Sequence, residues 1–184
     1  MVRRNTPGYA IGGMAGGESK EDFWKTVAKC CDLLPDDKPR YVMGIGYAED
    51  CMISALLGAD MFDCVFATRT ARFGTAFTKH GMIKVKKEKF MLDFTPLSEG
   101  CTCYTCQNYT KSYLQQTFKK NTSAMQLLSI HNIHFLIENL RNLRTAIIEE
   151  KTEEFAKNWF TEYYKDQGVP DWIKDALNHC EIKI

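Results

Sequence analysis

The chain has 184 residues, enough for one domain with a real core. It is 45% hydrophobic and 26% charged with a net charge of +1, an ordinary balance for a soluble globular protein that by itself suggests no nucleic acid. Mean hydropathy is −0.33, and no apolar run is long enough to cross a bilayer. The opening MVRRNTPGYAIGG is basic but lacks a hydrophobic signal core, so the cell interior is the expected compartment.

Taken in chain order, residues 9 to 13 read as a short strand ending in glycines. A helix follows, with Ser19 and Asp22 as a capping-box signal. Phe23, Thr26, Val27, Cys30, Cys31 and Leu34 form its apolar stripe, and Pro35 and Pro39 stop it. Residues 40 to 46 form a second strand ending in glycines, residues 48 to 57 a helix ended by Gly58, and residues 61 to 66 a third strand. Nearly continuous apolar strands alternating with helices imply βαβ units and a parallel sheet. After Phe66 the pattern changes. Residues 76 to 94 read as a basic hairpin, a cysteine cluster follows, and helix is expected over about 112 to 118. A further helix is expected from residue 127, with Leu127, Ile130, Ile133, Ile137, Leu140 and Ile147 as its buried face. Trp159, Phe160 and Trp172 mark a packed helical tail.

Eight cysteines in a reducing interior are not expected to form disulfides. Cys30, Cys31, Cys51, Cys64 and Cys180 read as small buried hydrophobes. Cys101, Cys103 and Cys106 differ, because C-x-C-x2-C lets one loop supply three corners of a tetrahedral zinc site. His131 is the expected fourth ligand, with His134, one turn further on the same helix, the competing choice. Four protein ligands leave no open position, so the site would be structural.

Asp63 is the second anomaly, a carboxylate in an apolar run, where burial costs several kcal/mol unless the group is paired, neutralised or working. Strand alternation sets Met61, Asp63 and Val65 on one face and Asp60, Phe62 and Cys64 on the other. Working groups of parallel α/β folds gather at the carboxyl ends of strands, where Gly12, Gly13, Met43, Gly44 and Asp63 all fall. Asp63 could serve as nucleophile, general base or metal ligand, or could pair with Arg69 or Arg72. From Ala67 to Phe90 seven Lys and Arg residues face one acid, Glu88. That local excess suits a phosphate backbone, with Phe73, Phe77 and His80 as stacking groups, or a solvated basic hairpin.

The stretches YAIGGMAGGES, KPRYVMGIG, DMFDCVFATRTARFG, CTCYTCQNY and IHNI, in this order and spacing, resemble the tRNA-guanine transglycosylase family. GGESKEDFW and TRTARFG resemble its eukaryotic branch, the queuine tRNA-ribosyltransferase catalytic subunits. The resemblance implies the C-terminal part of a (β/α)8 TIM barrel with an inserted zinc-binding subdomain. Residues 1–75 would be the last three β/α units, 76–130 the basic hairpin and zinc insertion, and 131–184 the closing helices. It further implies that Asp63 is the nucleophile, attacking the anomeric carbon of the wobble guanosine in tRNAs with a GUN anticodon so that queuine can replace guanine. Gly13, Met14 and Met43 would line the base pocket. Gly44, Ile45, Gly46, Tyr47, Ala48, Glu49, Asp50, Thr68, Arg69, Thr70, Ala71 and Arg72 would touch the anticodon loop. Cys101, Cys103, Cys106 and His131 would hold structural Zn²⁺, with His131 chosen over His134 by its place in the HN pair.

Ala67 stands where the family usually has proline. The family's second aspartate, a proton acceptor, belongs to an amino-terminal half this chain lacks. The expectation is therefore a piece of a longer enzyme that binds zinc, self-associates, and does not exchange bases alone. A related accessory subunit or a second copy is the expected protein partner, and the cytoplasm, with the mitochondrial outer surface as an associated site, the expected location. The competing reading is a non-catalytic zinc-containing module of the same complex, binding RNA or another subunit.

Overall fold

A computed structural model describes residues 2–14, 16–118 and 121–184. Three parallel strands, β1 (Tyr9–Ile11), β2 (Arg40–Met43) and β3 (Met61–Asp63), lie in the order β1-β2-β3. Tyr9 pairs with Arg40, Tyr41 with Met61, and Met43 with Asp63. Parallel neighbours need a crossover, and α1 (Lys20–Leu33) and α2 (Ala48–Leu56) supply the two. Ser19 caps α1 as its sequence signature implies, accepting the Asp22 N–H at 3.0 Å.

All three strands end earlier than hydropathy suggests. The chain turns out of β2 at Gly44, whose φ of 79° suits a residue without Cβ. Residues Cys64–Phe66 leave the strand for a turn and the start of α3 (Phe66–Arg72). An apolar run marks burial, and a helix's first turn uses it as readily as a strand does. The hairpin is also shorter than expected, an antiparallel pair of β4 (Thr75–Thr78) and β5 (Gly81–Lys84). Helices α4 (Tyr104–Asn108), α5 (Lys111–Phe118), α6 (Ser123–Ile148), α7 (Thr152–Tyr163) and α8 (Asp171–His179) follow. Among the described residues, no helix is long and apolar enough to cross a membrane.

One apolar core joins the sheet to its helices through Val27, Val42, Met52, Ile53, Phe160, Ile173 and Leu177. A second holds the hairpin against α5 and α6 through Ala76, Val85, Leu114 and Leu128. Helix α6 contributes to both, Leu128 to the second and Leu143 to the first, so residues 130 and 131 fall inside a continuous helix.

Of the expected buried face of α6, Leu127 is buried and Leu140 packs half-buried on the first core, but the four isoleucines are not buried. Ala124, Leu127, Leu128, His131, Asn132 and Phe135 form the inward stripe, whereas Ile130, Ile133, Ile137 and Ile147 are 44–52% exposed. The helix has two stripes at helical spacing, and the more hydrophobic one faces out. His131 and Asn132 can occupy core positions because every polar atom they bring inside has a partner.

Two acids at the start of α2 tie the surrounding helices together. Lys20 from α1 donates to both oxygens of Asp50, at 2.5 and 2.6 Å, and its ammonium lies 4.9 Å from the Tyr47 ring centre and 5.3 Å from that of Trp172. Tyr163 of α7 donates to Glu49 at 3.1 Å. Burial raises the pKa of both carboxyls, and the Lys20 ammonium opposes the rise at Asp50. Lys20→Met would leave Asp50 buried without its cation. The expected loss at neutral pH is about 2 kcal/mol, below that for fully buried pairs because Lys20 is 42% exposed. In the variant, folded Asp50 holds its proton more tightly than the unfolded chain does. The loss should therefore shrink as pH falls toward the ordinary carboxylate range, as denaturant titrations at several pH values would read.

Candidate active-site strand and metal centre

Asp63 is the last residue of β3 and is exposed, not buried as its apolar setting suggests. Its Oδ1 accepts the Tyr41 hydroxyl and, at 3.1 Å, the Gly44 N–H. The register explains both bonds: Tyr41 lies two residues before Met43, the partner of Asp63, on the same face of the neighbouring strand. These donors hold the Asp63 pKa below the usual carboxylate value, Tyr41 first and Gly44 second, so the group is ionised at neutral pH. Among the described residues Oδ2 has no protein partner, and the contacts are with Tyr41 and Gly44 rather than Arg69 or Arg72. A fixed, ionised carboxylate with one free oxygen can attack an electrophilic carbon or take a proton.

Around this strand end, Gly13 and Met43 are exposed and Met14 is half-buried. A Cβ on Gly12 would stand 3.4 Å from the Met43 sulfur, so the β1 and β2 loops face each other closely. Of the two stretches expected at RNA, Gly44, Tyr47, Arg69 and Arg72 are exposed. Ile45, Gly46, Ala48, Asp50 and Ala71 are buried, and Glu49, Thr68 and Thr70 are half-buried. Gly46 is required sterically, since a Cβ there would lie 2.6 Å from that of Cys64. Arg69, Arg72, Lys79, Lys84, Lys86, Lys87 and Lys89 are all exposed, as are Phe73 and His80. Phe77 is 1% exposed and packs between Phe66 and Phe135, so it cannot stack on an external base.

Cys101, Cys103, Cys106 and His131 converge, with one ligand atom of each within 4.8 Å of all the others. His131 Nδ1 lies 3.8, 3.4 and 3.4 Å from the three sulfurs in that order. A tetrahedral ion with bonds of about 2.3 Å to sulfur and about 2.0 Å to nitrogen separates its sulfur and nitrogen ligands by about 3.5 Å, so the group fits such an ion. His131 Nε2 faces the Phe77 carbonyl at 2.7 Å, which selects the tautomer that leaves Nδ1 free to bind metal. His134 lies outside the group, 3.4 Å from the Thr102 hydroxyl. Contact among the sulfurs favours the thiolate at Cys103 alone. Hydrogen bonds from Cys101 and Cys106 hold the Cys103 pKa far down and leave that of Cys106 raised. Burial pulls the His131 pKa down, but contact with Cys101 and Cys103 raises it overall, to about 9. Of the other five cysteines, Cys31 and Cys51 are buried and Cys30 and Cys180 half-buried, while Cys64 is exposed, contrary to expectation.

Sequence reasoning missed Tyr41, since an aromatic in a strand reads as core; only its register against Asp63 reveals its role. It also missed Asn132, whose carboxamide is buried beside the cluster.

A parallel α/β chain with an ionised carboxylate at a strand end and a Cys3His centre is the class these features define. A family model described as queuine tRNA-ribosyltransferase matches residues 1–165, and the chain belongs to that family. The queuine tRNA-ribosyltransferase catalytic subunit of Schizosaccharomyces pombe is 45% identical over all of this chain and 48% of its own length. That of Caenorhabditis elegans is 41% identical over all of this chain and 50% of its own. The queuine tRNA-ribosyltransferase of Pediococcus pentosaceus is 44% identical over 89% of this chain and 43% of its own. The chain spans about half the length of the curated relatives it matches.

Metal analysis of pure, unchelated protein is expected to find about one divalent ion per chain, and Cys103→Ser to lower that several-fold. Tyr41→Phe removes a bond that favours ionised Asp63, so its pKa should rise toward the ordinary value in a carboxyl NMR titration. An unmoved midpoint would mean that the phenol is not coupled to the carboxylate.

Proposed function

We propose that this chain carries the nucleophile, part of the base site, the RNA-holding arginines and a structural zinc centre of an enzyme that exchanges guanine for queuine. The observation that carries the reading is Asp63, ionised, exposed at a strand end, and held by Tyr41 and Gly44 through one oxygen while the other is free. Oδ2 attacks C1′ of the wobble guanosine in a tRNA with a GUN anticodon. The C1′–N9 bond breaks, guanine leaves with its electron pair and takes up a proton, and an ester joins Asp63 to the ribose. The ring nitrogen of queuine then attacks C1′, sheds a proton, and returns the carboxylate. Asp63 is bonded to the ribose throughout the interval, so both proton transfers need another group. Gly13, Met14 and Met43 would border the flat base, and Arg69 and Arg72, with the exposed members of the 44–50 loop, would hold the anticodon loop.

In this reading the three strands are the last three of a (β/α)8 barrel, residues 76–130 an inserted zinc subdomain, and residues 131–184 the closing helices, with α6 shared between the last two. Three thiols and one imidazole suit zinc among divalent metals, and the closed ligand set assigns it to holding the fold. The free cysteines suit the reducing cytoplasm. The exposed row Ile130, Ile133 and Ile137 on α6 supports a protein partner, either a related accessory subunit or a second copy. The same row is what favours the second reading, a zinc-containing module that joins subunits without catalysis.

In the whole enzyme, Asp63→Asn is expected to abolish the denaturation-resistant tRNA adduct and lower turnover by about 10⁴-fold. An adduct that persists would exclude Asp63 as the nucleophile. Loss of adduct and turnover would exclude the non-catalytic reading.

A further inference from the structure

Helix α3, which carries Arg69 and Arg72, takes its orientation from what it packs on, chiefly α6. It is seven residues long, below the length at which a helix is stable alone. Val65, at its N-cap, makes no side-chain cap, and the only buried side chains within it are the methyls of Ala67 and Ala71. Phe66 adds contacts with Tyr47 and Phe77 at the first turn only.

What grips both ends is a single side chain of another helix. Asn132 is completely buried in α6. Its Nδ2 donates to the Ala67 carbonyl at 2.9 Å, in the first turn of α3, and to the Thr75 carbonyl at 3.0 Å, just past the helix end. Its Oδ1 accepts the Phe77 N–H at 3.0 Å. Both amide protons and the oxygen are used, and each partner is a backbone group, so the contact fixes the chain's path whatever side chains it carries. Adjacent His131 holds the Phe77 carbonyl through Nε2 while Nδ1 faces the three sulfurs. Small Ala67 and Ala71 allow the close approach of α3 to α6 that the short carboxamide needs.

We propose that Asn132 is a positioning residue that couples the Cys3His centre to α3 and so aims Arg69 and Arg72 at RNA. The inference rests on the RNA reading of α3 given above. Asn132 is fully buried and is not one of the four candidate ligands, and it acts by fixing the helix between its two carbonyl contacts.

The test measures affinity of the zinc-loaded protein for a tRNA anticodon stem–loop across a range of salt, with metal content determined on each sample. Asn132→Ala is expected to keep about one zinc per chain while weakening RNA binding about tenfold. The slope of log affinity against log salt should become shallower by about one, as an arginine–phosphate contact is lost. In an Arg69→Ala/Arg72→Ala background, Asn132→Ala should add less than about twofold, because two substitutions acting through one contact are not additive. A full additional loss in that background would overturn the inference and leave the RNA reading standing. Arg69→Ala/Arg72→Ala with unchanged affinity would overturn the RNA reading itself, and this inference with it. Asn132→Ser, which keeps one donor, guards against misfolding. If neither variant at position 132 retains zinc and a cooperative melt, Asn132 serves the fold alone and the inference fails.

Discussion

The backbone of Phe77 is held at both its polar groups by one helix, its C=O by His131 and its N–H by Asn132. Much of the molecule depends on that grip. Two polar residues occupy consecutive core positions of α6, where their desolvation would cost several kcal/mol if any donor or acceptor went unmet. Neither does. The imidazole divides its nitrogens between sulfur and carbonyl, and the carboxamide divides its three contacts between α3 and β4. The hairpin, the cysteine loop and the helix after Asp63 thus share one polar seam. Satisfied networks of this kind specify a single arrangement, because any slip strands a buried group.

A second polar seam organises the start of α2. Asp50 holds Lys20 of α1, and Glu49 accepts from Tyr163 of α7, whose ring stacks on Trp159 at 4.8 Å. Both acids lie in the first turn of α2, where the helix dipole favours negative charge. The loop that turns out of β2 at Gly44, whose N–H meets Asp63, therefore runs into a helix anchored at its start on both flanks. Distant helices in this way help fix a strand end they do not touch.

The sequence made the parallel strands legible because each is a short apolar run closed by a turn, and the Cys3His cluster legible because three cysteines within six residues have few other uses. What it hid follows from physical ambiguities. His131 and His134 are one helical turn apart, and spacing cannot rank them; the structure separates them by which ring reaches the sulfurs. On α6 the isoleucines face out where histidine and asparagine face in, although isoleucine outscores both on any hydropathy scale, because burial here follows satisfied hydrogen bonds. Tyr41 was invisible because its role is defined by strand register, a property of two segments twenty residues apart. Asp63 ends its strand as the sequence implies, but it is exposed and carries no burial penalty, because the apolar run around it marks a strand end and a turn rather than a buried strand.

That exposure has a consequence of its own. Met43, Met61 and Val65, all close to Asp63 in sequence or strand register, are 44–54% exposed and present carbon and sulfur rather than hydrogen-bonding atoms. Open to solvent, the carboxylate keeps a hydration shell that blunts its reactivity. A flat molecule laid over those side chains would expel the water from their surface and from the free oxygen together, while Tyr41 and Gly44 kept their hold on the other. In the reading proposed above, such a site would be quiescent when empty and would become reactive through the shape of what covers it, the ligand completing the dry chamber in which it reacts.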